Sequence, residues 1–118
     1  MSYLPIYKTL SSDTEITALV GDRIYEDFAP KEAKTPLIVW QTISGQAMND
    51  LDSPANFDSL QFQVMVYSSN NKVAQDIRSL TRKALERKAW ILNPALSNYD
   101  SVRKLFAKGF DANYILER

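Results

Sequence analysis

An alternating segment followed at once by an amphipathic segment most constrains the fold of this chain. In residues 59–67 every second side chain is apolar, and alternation of this length predicts a β-strand with one buried face. That apolar series is Leu60, Phe62, Val64 and Val66. Residues 71–88 follow as a predicted amphipathic helix, capped by Ser69 or Asn70, whose apolar stripe should pack on this face. The stripe consists of Val73, Ala74, Ile77, Leu80, Ala84 and Leu85.

Two short helices are predicted near the N-terminus. Apolar residues at helical spacing indicate helices over residues 3–10 and 14–20. Ser12 or Asp13 caps the second helix, and Gly21 ends it as a left-handed C-terminal cap. The chain should then run extended away from that cap.

A second strand and a long loop are predicted in the middle of the chain. Residues 37–43 are apolar on both sides, which indicates a central strand that is covered on both faces. Residues 44–58 contain Gly, Asn, Pro and three acids, and we interpret them as a fifteen-residue loop. A loop of this length is either a plain hairpin connection or a segment that orders against a partner.

The C-terminal part gives weaker signals. Residues 89–92 form a short apolar segment that Asn93-Pro94 should break. Residues 101–108 fit a helix or a strand, with the strand slightly preferred, and residues 114–116 are predicted as a final strand. The predicted fold class is therefore α+β: a small, mostly antiparallel sheet backed by one long amphipathic helix, with short N-terminal helices. We expect residues 1–118 to form a single domain.

The composition excludes several kinds of chemistry. The 118 residues include no cysteine and no histidine, so disulfides, thiol nucleophiles, zinc fingers and histidine-based triads are impossible. The acids Asp50, Asp52 and Asp58 lack the glycine and final glutamate of a calcium loop. Trp40 and Trp90 are interpreted as core residues. We expect no enzymatic activity, catalytic residue, metal or cofactor.

The charge balance argues against nucleic acid as a partner. Fourteen basic residues balance fourteen acidic ones, whereas a non-specific nucleic-acid binder normally carries a basic excess. The chain also shows no apolar run long enough to span a membrane and no secretory signal peptide, so we expect a cytoplasmic protein that contacts no membrane.

The charges are nevertheless unevenly distributed along the sequence. Residues 1–59 contain four basic and nine acidic residues, a net charge of −5, and residues 60–118 contain ten basic and five acidic residues, a net charge of +5. The asymmetry is either accidental or the mark of complementary edges that meet between identical subunits. A head-to-tail ring needs two different, matching patches on each subunit.

Three motifs occur in a characteristic order. They are TEITALVGDRIY at residues 14–25, TPLIVWQTI at residues 35–43 and LQFQVMVYS at residues 60–68, which runs into the long helix. In this order they resemble the tail-completion, or tail-terminator, proteins of long-tailed bacteriophages and prophages. The resemblance covers most of residues 10–87, and the stretch from Leu19 to Ile24 is its most specific part.

This resemblance implies a structural role in a virion. Members of that family have a small α+β fold and assemble as a ring, typically a hexamer, on the head-proximal end of the tail tube. The ring stops polymerisation of the tube and presents a surface to the head connector. The implied partners are therefore further copies of this chain, the tail tube protein and the head connector protein. The implied location is the virion tail, reached from the host cytoplasm during assembly.

Candidate interface residues come from the second strand face, the long loop and the first motif. The face opposite the predicted helix carries polar and apolar side chains together, and the loop contains apolar residues that would gain from burial against a partner. We expect these residues to contact the neighbouring subunit or the tube: Arg23, Met48, Leu51, Gln61, Gln63, Met65 and Tyr67. For Arg23 an ordinary salt bridge with Asp22, Glu26 or Asp27 is the alternative.

Three other functions stay open at this point. A head–tail connector or adaptor subunit would also form rings, but would bind the portal side. A small ligand-binding or enzymatic α+β domain would show a pocket lined by polar groups and a perturbed carboxylate. A nucleic-acid-binding accessory domain would bind with steep salt dependence.

Overall fold

The fold is a five-stranded sheet with three helices packed on one face. A computed structural model describes the backbone of residues 4–50 and 53–117 and the side chains of residues 4–44 and 59–115. The elements, in chain order, are α1 (Ile6–Ser11), α2 (Thr14–Val20), β1 (Ile24–Glu26), β2 (Leu37–Asp50), β3 (Ser53–Ser68), α3 (Asn71–Leu85), β4 (Ala89–Asp100) and β5 (Leu105–Glu117). The strand order is β1-β2-β3-β5-β4, with β1 parallel to β2 and every other neighbouring pair antiparallel.

The core lies between the sheet and the helices. Phe62, Val64 and Val66 of β3 are completely buried, as the alternating pattern predicts, and Phe110 of β5 extends the same apolar layer. Ile77 of α3 is also completely buried in this core. Burial of one such side chain stabilises the fold by about 1.5–3 kcal/mol. The predicted α+β class and antiparallel sheet are confirmed, but the strands dominate and α3 shares the helical layer with α1 and α2.

The helix ends follow local capping rules. The side chain of Asn70 accepts a hydrogen bond from Val73 N at 3.1 Å, which starts α3 where the sequence predicts. Asp13 caps α2 by accepting bonds from the backbone N–H groups of Glu15 and Ile16. Asp13 therefore takes the capping role for which Ser12 was the alternative. Helix α3 ends at Leu85, three residues before the predicted end.

The prediction of a loop over residues 44–58 is wrong. Residues 44–50 continue β2 and residues 53–58 begin β3, so that the two strands form one long hairpin. Backbone pairing of β2 with β3 extends to Asp50 opposite Ser53, and β5 pairs with β3 as far as Phe57 opposite Glu117. This pairing overrides the loop-like composition. Two register shifts between β2 and β3 absorb the irregular residues.

The prediction that Asn93-Pro94 ends the apolar segment 89–92 is also wrong. Strand β4 continues from Ala89 to Asp100, with register shifts around Asn93. Pro94 is tolerated because β4 is an edge strand, where a missing backbone N–H need not cost a ladder hydrogen bond. Residues 101–104 form a turn, so the preferred strand is correct only from Leu105 onward, and the predicted final strand lies inside β5.

Candidate interaction surfaces

The sheet face opposite the helices is the first candidate surface, and we call it the open face. The side chains of Gln61, Gln63, Met65 and Tyr67 all lie on it and are half-buried. Strand register places Val39 of β2 and Gly109 of β5 on either side of Met65. The structure thus brings together the four residues that the sequence predicts for this face.

Two depressions on the open face meet at Tyr67. The first, of about 540 Å³, is lined by residues of β3, β4 and β5, including Met65 and Leu96. The second, of about 350 Å³, lies under the loop that follows β1 and includes Phe28 and Leu37 in its lining. Both combine apolar walls with scattered polar groups, which suits contact with another protein surface.

Gly109 forms a close contact that shapes the floor of the first depression. It lies opposite Met65 of β3 and Leu96 of β4. A Cβ at this position would lie 2.5 Å from Met65 Sδ and 3.0 Å from Met65 Cα, and it would also collide with the carbonyl oxygen of Val64. Met65 can therefore lie over β5 only because residue 109 has no side chain.

One carboxylate oxygen on the open face has no hydrogen-bond partner within the part of the chain that is described. Oδ1 of Asp111 is buried, and the residue pairs with Gln63 of β3. A buried carboxylate oxygen without a donor is costly, so Asp111 lowers the stability of the fold at this point.

Arg23 holds the corner between α2 and β1. Its Nε donates a hydrogen bond to the carbonyl of Pro36 at 3.0 Å, and Nη2 donates to the carbonyl of Leu19 at 3.4 Å. Gly21, with φ of 61°, provides the left-handed turn that brings the side chain back over the helix end. Among the described residues the ion pairs are Lys72–Asp76 and Arg82–Glu86, so the alternative salt bridge of Arg23 is wrong.

The two predicted loop residues belong to the hairpin region. Met48 lies in β2, opposite Phe57, and its side chain is outside the described residues, as is the whole of Leu51. Leu60 of β3 and Ala89, the first residue of β4, both pair with Tyr114 of β5. The hairpin therefore extends past the beginning of β4, along a molecule whose longest dimension is 52 Å.

The edge strand β4 is a surface that the sequence analysis missed. Trp90 is 61% exposed, so its assignment to the core is wrong, whereas Trp40 is buried as predicted. Leu92 and Tyr99 are also exposed on this strand. Residues 89–92 carry no alternation that marks the exposed side, because all four are apolar. The predicted break at Asn93-Pro94 also made the strand too short.

Within the described ranges, no group of three or more acidic, His or Cys side chains is arranged to hold a metal ion. No helix in these ranges has both the length and the apolar character needed to cross a bilayer.

Comparison with known proteins gives one family and one fold. A sequence model of the family described as "Tail completion protein gp17" matches residues 5–108. A search of curated proteins finds no match. One matching solved chain comes from a structure described as "Virion of native gene transfer agent (GTA) particle". It has a TM-score of 0.73 and 16% sequence identity, and the match covers 96% of this chain and 92% of that chain. At this identity the likeness establishes a shared fold.

Proposed function

Because the chain belongs to the tail completion protein gp17 family, we propose that it caps the head-proximal end of a phage-type tail tube as a hexameric ring of identical subunits. The single observation that carries this proposal is the family match over residues 5–108. A structural role in the tail of a phage-like particle agrees with the fold it shares with a chain of the gene transfer agent virion. The proposed role involves contacts between proteins and no chemical step.

Termination follows from symmetry and from a difference between two faces. A head-to-tail contact whose rotation closes gives a finite ring. One face of that ring matches the end of the tube. Its far face must differ from the end of a tube subunit, so that no further subunit adds and the head connector can dock instead.

The open face is the part of the fold best suited to contact a neighbouring subunit or the tube. Gln61, Gln63, Met65 and Tyr67 combine polar and apolar groups over two depressions. This surface uses four of the residues for which we expect an interface role.

The β2–β3 hairpin is the second proposed contact. It extends past the beginning of β4, so the backbone of Met48 belongs to a projecting part of the chain, whereas the predicted contact residue Leu51 lies outside the described residues. In the proposed ring this projection contacts the adjacent subunit or the tube. Arg23 supports that arrangement by fixing the corner at which β1 joins the sheet.

Growth of tail tubes tests the function directly. The tail tube protein of the same particle is allowed to polymerise with and without the purified chain. Tube lengths are then measured by electron microscopy. We expect shorter tubes as the concentration of the chain rises, because capped ends no longer grow. Tube lengths that do not change at any concentration would contradict the proposal.

A deletion tests the hairpin separately. Removal of residues 48–54 should leave a folded protein, since the core residues that the structure describes lie in other parts of the chain, but should prevent capping. The control is Lys8→Ala with Gln75→Ala, two exposed residues outside the hairpin and the open face. Circular dichroism checks folding. Full capping by a correctly folded deletion variant would exclude the hairpin while leaving the function intact.

A further inference from the structure

Exposed apolar side chains gather at the β4 edge of the sheet. Trp90, Leu92 and Tyr99 of β4 are each about half exposed or more, and Val102 of the following turn is 90% exposed. A long edge strand with exposed apolar groups is normally covered or protected in soluble proteins. Burial of this strand in an assembly would account for them.

The backbone of β4 is poorly suited to pairing with another strand. Pro94 removes one donor, and the register shifts around Asn93 interrupt the regular edge. Arg78 also reaches over from α3 to donate to the carbonyl of Leu96 at 3.2 Å. A partner on this edge would therefore make its contacts chiefly through side chains.

The same edge carries an excess of positive charge. Residues 82–92, from the last turn of α3 into β4, contain four basic residues and one acidic residue, a net charge of +3. We call this segment the basic edge. All four basic side chains are exposed. The one acid, Glu86, already has a partner, because it pairs with Arg82.

The opposite edge of the sheet carries the opposite charge. Residues 12–26, which contain α2 and β1, include four acidic residues and one basic residue, a net charge of −3. We call this segment the acidic edge. Three of its acids are exposed, and Arg23 is engaged with backbone carbonyls. Leu19 is exposed here, so this edge also offers apolar surface.

We propose that the basic edge of one copy of this chain docks on the acidic edge of the next copy. The two edges lie at the two ends of the strand order and have opposite charge and exposed apolar groups, so one chain supplies both halves of a head-to-tail contact. In this contact Trp90 and Leu92 are buried against the neighbour, beside the charges of Arg87 and Lys88. The inference rests on the proposed ring and names the surface that closes it.

Paired charge reversals test this assignment. The first variant is Arg87→Glu with Lys88→Glu, and the second is Asp22→Lys with Glu26→Lys; all four side chains are exposed. Each variant places like charges on both edges, so we expect each to self-associate at least about tenfold more weakly than the wild type. In an equimolar mixture of the two variants, the reversed edge of one variant can meet the reversed edge of the other, and the two unchanged edges can also meet. Every contact then again joins edges of opposite charge. Sedimentation velocity should then show rings formed at close to wild-type concentrations.

The control variant makes the same change in net charge as the Arg87→Glu, Lys88→Glu variant, but at positions away from both edges. Lys8→Glu with Lys72→Glu alters exposed residues outside both edges, and we expect its association to remain within about threefold of wild type. Rings that form normally from both reversal variants would overturn the edge assignment and leave the ring function standing. An equimolar mixture of the two reversal variants that stays dissociated would overturn the edge assignment in the same way. A wild-type chain that never associates, alone or with tubes, would overturn the proposed function as well.

Discussion

Substitution of Gly109 by alanine gives the sharpest test of how β3 and β5 pack. A Cβ at this position would lie 2.5 Å from Met65 Sδ and 3.0 Å from Met65 Cα, and would also meet the carbonyl oxygen of Val64. The thioether can rotate away, but the two backbone atoms belong to the central strand of the sheet and can move only with it. Overpacking of this kind costs about 1–3 kcal/mol, and the backbone contacts place Gly109→Ala near the upper end, about 3 kcal/mol.

Thermal unfolding followed by circular dichroism measures this loss. For a chain of this size, about 3 kcal/mol corresponds to a fall in Tm of about 10 °C. Met65→Ala and the double variant Met65→Ala with Gly109→Ala complete a thermodynamic cycle. Because removal of the thioether leaves the backbone contacts in place, the double variant should remain much less stable than Met65→Ala alone. A Gly109→Ala protein with a Tm within about 2 °C of wild type would refute the packing argument.

Three further predictions concern the caps, the corner and the β4 edge. Asn70→Ala removes the cap of α3 and should destabilise the fold by about 1 kcal/mol in urea unfolding, whereas the exposed Asn71→Ala should have a smaller effect. Arg23→Ala should cost about 1–2 kcal/mol because two backbone carbonyls lose their donor, while Lys31→Ala should leave stability unchanged. Trp90→Ser should change the free energy of unfolding of the monomer by less than about 0.5 kcal/mol but weaken self-association, and equal association of mutant and wild type would count against the docking edge.

Local patterns identified the elements whose signals lie within a few neighbouring residues. The alternation around Phe62 and the helical stripe around Ile77 each determine which face is buried, and both are confirmed. The caps of α2 and α3 depend on hydrogen bonds that span two or three residues, so the short polar residues at their starts were sufficient to locate them.

The elements that were predicted wrongly depend on pairing between distant parts of the chain. Residues 44–58 have the composition of a loop, but β2 and β3 pair along them, and β5 adds further pairing at Phe57 and Asp58. Pro94 breaks a helix or a central strand, but the position of β4 at the sheet edge, which the sequence does not reveal, makes it acceptable. Local composition cannot report a partner that lies fifty or more residues away.

The candidate surfaces divide in the same way. The open face follows from strand parity, so Gln61, Gln63, Met65 and Tyr67 could be grouped from the sequence. The conformation of Arg23 could not, because its two acceptors are carbonyl groups brought together only in the folded chain. Recognition of the β4 edge required the strand order, which alone shows that Trp90 lies at a border of the sheet and opposite the acidic edge.

Electron microscopy of the purified chain mixed with tail tubes tests the central claim most directly. We expect ring-shaped particles at one end of each tube, with sixfold averages and no tube growth beyond them. Tubes with bare ends beside a chain that remains monomeric would contradict the account.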